Sequence, residues 1–113
     1  MTAYSPPITN SFFYAPNVLS VQSVVTSKTL SPGVPTKVIG ANFGRHYLMI
    51  QNVGTNPLSF GMASLSPGQG IGLDGAGAAN GQGGSYEFRR YVPGDEIWAV
   101  SAAGTTIVVL EAF

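Results

Sequence analysis

The chain has 113 residues and no cysteine, which indicates a single domain without disulfides or thiolate metal sites. Five basic residues balance five acidic ones, so its charge gives no reason to expect binding to nucleic acid or to an anionic membrane. Charged residues make up 9% of the chain, against about 25% in ordinary soluble domains. Because large uncharged surfaces are rarely left in water, this composition favours self-association over the alternative, a neutral monomer.

Residues 1–17 are predicted to form an extended arm, and residues 18–113 the folded domain. The arm contains three prolines and no charge, since the first charged residue is Lys28. A solvated tail would be poor in aromatic residues and rich in charge, so we expect the arm to lie along its own domain or a neighbouring subunit. Four aromatic residues are its candidate interface anchors: Tyr4, Phe12, Phe13 and Tyr14.

The N-terminal sequence has neither the basic start nor the apolar core of a secretory signal. No apolar run approaches the roughly 20 residues that span a bilayer. We therefore expect synthesis in the cytoplasm without an export signal, and no membrane partner.

Alternation of apolar and polar residues predicts strands through the first half of the domain. Residues 18–29 and 36–39 form the first two. Residues 45–62 then predict a central β-hairpin, in which Leu48 and Ile50 share one face. A polar turn with a proline separates its two strands.

The second half begins with residues 67–84, a glycine-rich stretch that we expect to be a loop with a brief strand at 70–73. Each interior glycine costs a helix about 1 kcal/mol relative to alanine, which excludes a helix here. Residues 86–91 predict the next strand, with two aromatic side chains on one face. Residues 96–101 and 105–113 predict a second hairpin.

The last predicted strand is apolar on both faces, whereas an antiparallel strand with one wet face alternates. Ile107 and Val109 would face the core, and Val108 and Leu110 would then form a possible interface strand. With about eight short strands and no helix, the fold is predicted to be all-β, an antiparallel β-sandwich or a jelly-roll-like barrel.

No group of residues carries catalytic, cofactor or metal chemistry. The sequence GIGLDG at 70–75 matches a dinucleotide-binding pattern, but no helix pattern follows it. His46 is the sole histidine, and adjacent Asp95 and Glu96 would point to opposite faces of a strand. Asp74 alone is too few carboxylates for a calcium site. We therefore predict no catalytic, cofactor-binding or metal-binding residue, and no enzyme.

Two further groups of side chains have ordinary structural explanations. Arg89 and Arg90 form the one basic cluster, and pairing with Glu87 or Glu111 is expected. Several aromatic residues could form a platform for a sugar or, alternatively, anchor the core or an interface. These are Tyr86, Phe88, Tyr91 and Trp98.

One motif points to a family. The order R-x-x-L-x-I-Q-N-x-G at residues 45–54 is followed by Gly61-Met62, a Pro67-Gly68 turn and the terminal EIWAVSAAGTTIVVLEAF. Over about residues 34–113, this succession resembles small β-sandwich structural proteins of tailed bacteriophages, particularly capsid decoration (cement) proteins and related accessory proteins. Its residues are fold-forming, and no binding residue is carried over.

The resemblance implies a structural protein of the virion, without an enzymatic activity. Such proteins bind the major capsid protein on the outside of the shell, often as trimers, and brace the shell against packed DNA. A tail, baseplate or fibre component is the first alternative. A carbohydrate-binding β-module that uses Tyr86, Tyr91 or Trp98 is the second.

Overall fold

A computed structural model describes residues 22–76 and 83–113. Over these ranges the chain forms eight strands and no helix, and therefore no helix that could cross a membrane. The predicted arm and its four aromatic anchors lie outside the described residues. The strands are β1 (Ser23–Leu30), β2 (Thr36–Ile39), β3 (Tyr47–Asn52), β4 (Leu58–Gly61), β5 (Ile71–Leu73), β6 (Ser85–Phe88), β7 (Ile97–Val100) and β8 (Thr105–Ala112).

The strands form two antiparallel sheets that pack face to face. Sheet A has the order β1-β8-β3-β6, and sheet B has the order β2-β7-β4-β5. The pairs β1·β8, β2·β7, β3·β6 and β4·β5 are those of one long two-stranded ribbon, which is rolled up so that the β4–β5 turn is its tip. This is a jelly-roll arrangement of eight strands, and it confirms the predicted all-β sandwich.

Both predicted hairpins are wrong. β3 lies in sheet A and β4 in sheet B, so residues 53–57 cross between the sheets instead of turning back within one. Residues 101–104 likewise carry the chain from β7 in sheet B to β8 in sheet A. Crossing brings the apolar faces of consecutive strands opposite each other, whereas a hairpin would place them side by side and still in need of cover.

The core lies between the sheets and is built from alternate residues of each strand. In β3, Leu48 and Ile50 are buried, and in β8 Ile107 and Val109 are buried, as predicted. Sheet B faces them with Phe60 at its centre. The remaining core side chains are Leu30, Val38, Ile39, Leu58, Leu73, Ile97 and Ala99.

Strand limits differ from those predicted mainly at the ends. β1 continues to Leu30, and β6 ends at Phe88, because the chain bends at Arg90 and leaves the sheet before Pro93. β5 lies in the glycine-rich stretch, close to the strand predicted at residues 70–73, and it pairs with β4.

Candidate functional site

Sheet A presents an apolar surface on the side facing away from the core. Directly paired residues of neighbouring strands point to the same side, and Val25 pairs with Leu110, which pairs with Met49. Val108 lies in the next row, between Ser27 and Gln51. We call Val25, Met49, Val108 and Leu110 the outer apolar face. Val25 is 67% exposed, and the other three are half-buried.

This surface carries no charge across β1, β8 and β3. The outward residues between its apolar members are Ser23, Ser27, Thr29, Tyr47, Gln51, Thr106 and Ala112. The first charged side chain is Glu87 on β6, at the edge of the sheet. A neighbouring protein could therefore cover the outer apolar face without removing an ion from water, a step that is costly unless the ion gains a partner.

The predicted interface strand falls on this surface. Val108 and Leu110 point outward, while Ile107 and Val109 are fully buried in the core. The inward-facing residues of β8 are therefore apolar because they form part of the core. A second covering layer over Val108 and Leu110 stays a prediction, because nothing among residues 22–76 and 83–113 supplies one. Val25 and Met49 were missed in the sequence, since only the strand register places them beside Leu110.

The outer side of sheet B is different. Val100 and Ser59 point outward there but are buried, because the turn at Pro67 and Gly68 folds over them. An apolar cleft of about 340 Å³ remains beside this turn. Farther along the same side, Lys37 lies 4.0 Å from Glu96, so this surface is charged as well as covered by its own chain.

Arg45, the first residue of the motif, is a buried structural centre. Its Nε donates to the Glu111 carboxylate at 2.9 Å, and both side chains are almost entirely removed from solvent. The guanidinium also donates to the carbonyls of Pro93 at 2.6 Å, Asp95 at 3.0 Å and Gly40 at 2.9 Å. Arg45 therefore joins the end of β2, the 93–95 turn and β8, and its side chain is fully buried.

Asn52, at the other end of β3, is a second buried centre. Its side-chain amide donates to the carbonyls of Asn56 at 2.7 Å and Leu73 at 3.2 Å. Its Oδ1 accepts from the Gly54 amide at 3.2 Å and the Thr105 hydroxyl at 2.8 Å. These bonds hold the crossing loop against β5 and β8. The motif residues are thus fold-forming, and the sequence showed neither centre because the partners are distant in the chain.

The titratable residues considered for chemistry are scattered. His46 and Asp74 are exposed, and the described residues contain no cluster of three potential metal ligands. Glu96 accepts a hydrogen bond from the Trp98 indole. Asp95 contributes its backbone carbonyl to Arg45. In the 70–75 segment, Gly70 has a left-handed φ of 79°, and β5 follows directly where a dinucleotide site would need a helix.

Arg89 pairs with Glu87 at 3.1 Å, one of the two partners expected, while Glu111 pairs with Arg45 instead. The other oxygen of Glu87 accepts a hydrogen bond from the Tyr47 hydroxyl at 2.6 Å. This bond, with burial as a smaller cause, raises the pKa of Tyr47 above its ordinary value.

Of the four aromatic residues proposed for a sugar platform, Tyr86 and Phe88 are brought together, and Tyr91 and Trp98 lie elsewhere. Tyr86 and Phe88 lie on the inner side of sheet A in edge-to-face contact at 4.8 Å, and Phe60 of the core packs against both. Trp98 lies on the outer side of sheet B, and Tyr91 is exposed beyond the end of β6. Phe88 is partly buried against the core, and Tyr86 is 42% exposed at the edge of the sheet.

Fold and surface together define a small antiparallel jelly-roll protein whose distinguishing feature is an uncharged apolar sheet face. Comparison with protein-family models, with curated proteins and with solved structures gave no significant match.

Proposed function

We propose that this protein is a structural component of a tailed-phage virion that decorates the outside of the capsid shell. Its partners would be the major capsid protein and further copies of itself, in a trimer at a local symmetry axis. The resemblance of the 45–54 motif suggested this role. The observation that carries it is the outer apolar face, where Val25 is 67% exposed on a side of sheet A that lacks charge across three strands.

Three features support a binding role without chemistry. The buried polar side chains of Arg45 and Asn52 form hydrogen bonds within the fold. The outer apolar face lies on paired strands of sheet A, so its backbone is already ordered before binding. Jelly rolls occur in viral capsid proteins and also in lectins, so the fold agrees with the proposal without selecting it.

The test is cosedimentation of the purified protein with capsids of its phage that lack it. Val25→Asp and Leu110→Asp place a charge on the outer apolar face and should reduce binding at least about tenfold, because a buried unpaired carboxylate costs well over 1.4 kcal/mol. Val34→Asp is the matched control, since Val34 is 51% exposed in the β1–β2 connection and outside this face. Unchanged binding of Val25→Asp would exclude the outer apolar face as the shell contact.

In this proposal the aromatic residues of the 1–17 segment clasp the shell or an adjacent subunit. Deletion of residues 2–17 should then weaken capsid binding while the sandwich stays folded. Equal binding of the shortened protein would remove the arm from the proposal. Fractionation of virions tests the location, because recovery with tails would identify a tail component instead.

A further inference from the structure

β6 presents an open strand edge, and the charges near its end are complementary to those of a second copy. β6 is an edge strand of sheet A and, within the described ranges, pairs only with β3. It contains neither a proline nor a bulge, two features that usually protect such edges from pairing. An open cleft of about 390 Å³ lies along residues 86–91.

The backbone groups that face this open edge follow from the hydrogen-bond pattern. The Asn52 amide donates to the Gly84 carbonyl at 2.9 Å, in line with the β3–β6 register. Because antiparallel bonding alternates, the N–H and C=O groups of Tyr86 and Phe88 point toward β3. Those of Ser85 and Glu87 point outward, and a strand that continued to Arg89 would present that residue outward as well.

The residues on the two sides of Phe88 carry opposite charges, so two copies of this segment in antiparallel orientation are complementary. Glu87 precedes Phe88, and Arg89 follows it, so reversing the segment about Phe88 places a carboxylate opposite a guanidinium. Arg89 is well placed for an outside partner, with 81% of its side chain exposed, although it already touches Glu87 of its own chain. Glu87 points to the outward side of sheet A, and its 3.1 Å ion pair keeps the Arg89 guanidinium on that side as well.

We propose that residues 87–89, the end of β6 and the residue that follows it, pair antiparallel with the same residues of a second copy, ahead of the bend at Arg90 and across a two-fold axis that passes between the two Phe88 residues. Each Glu87 then lies opposite the partner copy's Arg89 in a hydrogen-bonded position, and the two A sheets become one continuous sheet. Registers shifted by two residues place Glu87 opposite Glu87 or Arg89 opposite Arg89. Like charges opposite each other are unfavourable, so charge selects the centred register.

This contact is isologous, since the same patch is used by both copies. It does not depend on the proposed virion role. A two-fold contact cannot close a trimer, so in a shell lattice it would join subunits of adjacent trimers.

Charge exchange tests the proposal. Sedimentation equilibrium of Glu87→Arg and of Arg89→Glu should show a dissociation constant for this contact at least about tenfold above that of the unsubstituted protein, because both cross-strand pairs become repulsive. The double variant restores opposite charges and should return to within about threefold of the original value. An equal mixture of the two single variants should associate, because each supplies the charge that the other lacks.

The mixture separates a lost contact from a damaged fold, since a misfolded variant would not be rescued by mixing. Thermal melts of each single variant provide the matching control. If the single variants associate as strongly as the unsubstituted protein, or if the mixture fails to associate while both are folded, the proposed contact is wrong.

Cysteine cross-linking tests the register, since the natural chain has no cysteine. Facing positions that are not hydrogen-bonded have Cα atoms about 4.5 Å apart, within disulfide range, so Phe88→Cys should give a covalent dimer on mild oxidation. Glu87→Cys is the control and should stay monomeric on a denaturing gel, because the two Glu87 positions are out of register. Cross-linking through Glu87→Cys alone would overturn the centred register.

Discussion

Asn52 and Gly54 show how single residues decide the path of the chain between the sheets. Asn52 uses both donors and its carbonyl oxygen on groups of the loop, β5 and β8. Gly54 lies so close to β8 that a Cβ would overlap the Thr105 hydroxyl and come within 2.7 Å of the Thr106 amide nitrogen. The crossing is held in place by Asn52, whose side chain bonds to the loop, together with Gly54, which has no side chain.

Gly54→Ala should therefore destabilise the domain by about 2 kcal/mol, because the added methyl group forces apart two backbones that are hydrogen-bonded to each other. Gly40→Ala is the matched control, since nothing lies within 4 Å of its added Cβ and its φ is not left-handed. Urea unfolding of the two variants measures the difference. Equal midpoints for both would show that the loop moves away from β8 at little cost.

The hydrogen bond of Tyr47 to Glu87 predicts that the free energy of unfolding depends on pH in the alkaline range. This hydrogen bond raises the pKa of Tyr47 in the folded state above the unfolded value of about 10. The stabilisation is therefore complete below about pH 10 and is lost as the pH rises through the folded-state pKa. The free energy of unfolding of the natural protein and that of Tyr47→Phe should converge over this range.

The measurement is urea unfolding at a series of pH values from about 8 to about 12, which brackets the ordinary pKa of tyrosine. Glu87→Gln is a second comparison, because it removes the carboxylate charge but keeps an acceptor oxygen for the Tyr47 hydroxyl. A constant difference between the natural protein and Tyr47→Phe at every pH would show that the bond to Glu87 contributes nothing to stability.

At the scale of elements, Arg45 connects parts of the chain that belong to different sheets. The side chain reaches Glu111 of β8 in sheet A and the carbonyl of Gly40, which follows β2 of sheet B. Two more carbonyls, of Pro93 and Asp95, fix the turn that leads into β7. The ion pair is therefore one part of a connection between three elements.

Arg45→Met should cost about 3–5 kcal/mol, because it leaves Glu111 buried without a partner. The double variant Arg45→Met with Glu111→Leu removes that stranded charge and should recover part of the loss. Three carbonyls still lack their donor, so recovery should be incomplete. Thermal and urea unfolding of both single variants and the double variant complete the cycle. Full recovery of the free energy of unfolding would mean that the three carbonyls accept hydrogen bonds from water in the double variant.

At the scale of the whole molecule, charge is arranged unevenly. Sheet B carries Lys37 and Glu96 on its outer side and is partly covered by its own turn, whereas the outer apolar face of sheet A is neutral. A chain with 9% charged residues thus has one sheet side suited to burial and another suited to water. In the proposed role, the outer apolar face of sheet A is the side that the shell covers.

Light scattering across a roughly hundredfold dilution should then give a mass close to three copies of the 11.7-kDa chain. The Arg89→Glu variant is the better sample, because it suppresses association through β6 and leaves the outer apolar face unchanged. The same variant with Val25→Asp should keep this mass, because the outer apolar face is assigned to the shell contact and not to the trimer contact. A monomer at every concentration would exclude a trimer in solution.

The all-β class, the approximate positions of the strands and the buried sides of β3 and β8 could be predicted from the amino-acid sequence alone. Alternation with a period of two is a local property, so Leu48, Ile50, Ile107 and Val109 were assigned to the core without knowing their partners. The pairing of the strands could not be predicted and is known from the structure. Backbone hydrogen bonding is the same for any partner, and loops of four or five residues allow both a hairpin and a crossing between sheets.

The same reason explains the two buried polar centres and the outer apolar face. Glu111 follows Arg45 by 66 positions, and Thr105 follows Asn52 by 53, so no local pattern links them. Val25 joins Leu110 only because β1 pairs with β8. These contacts arise when the rolled ribbon covers its own apolar side, since burial of that side, more than any local preference, selects the strand order.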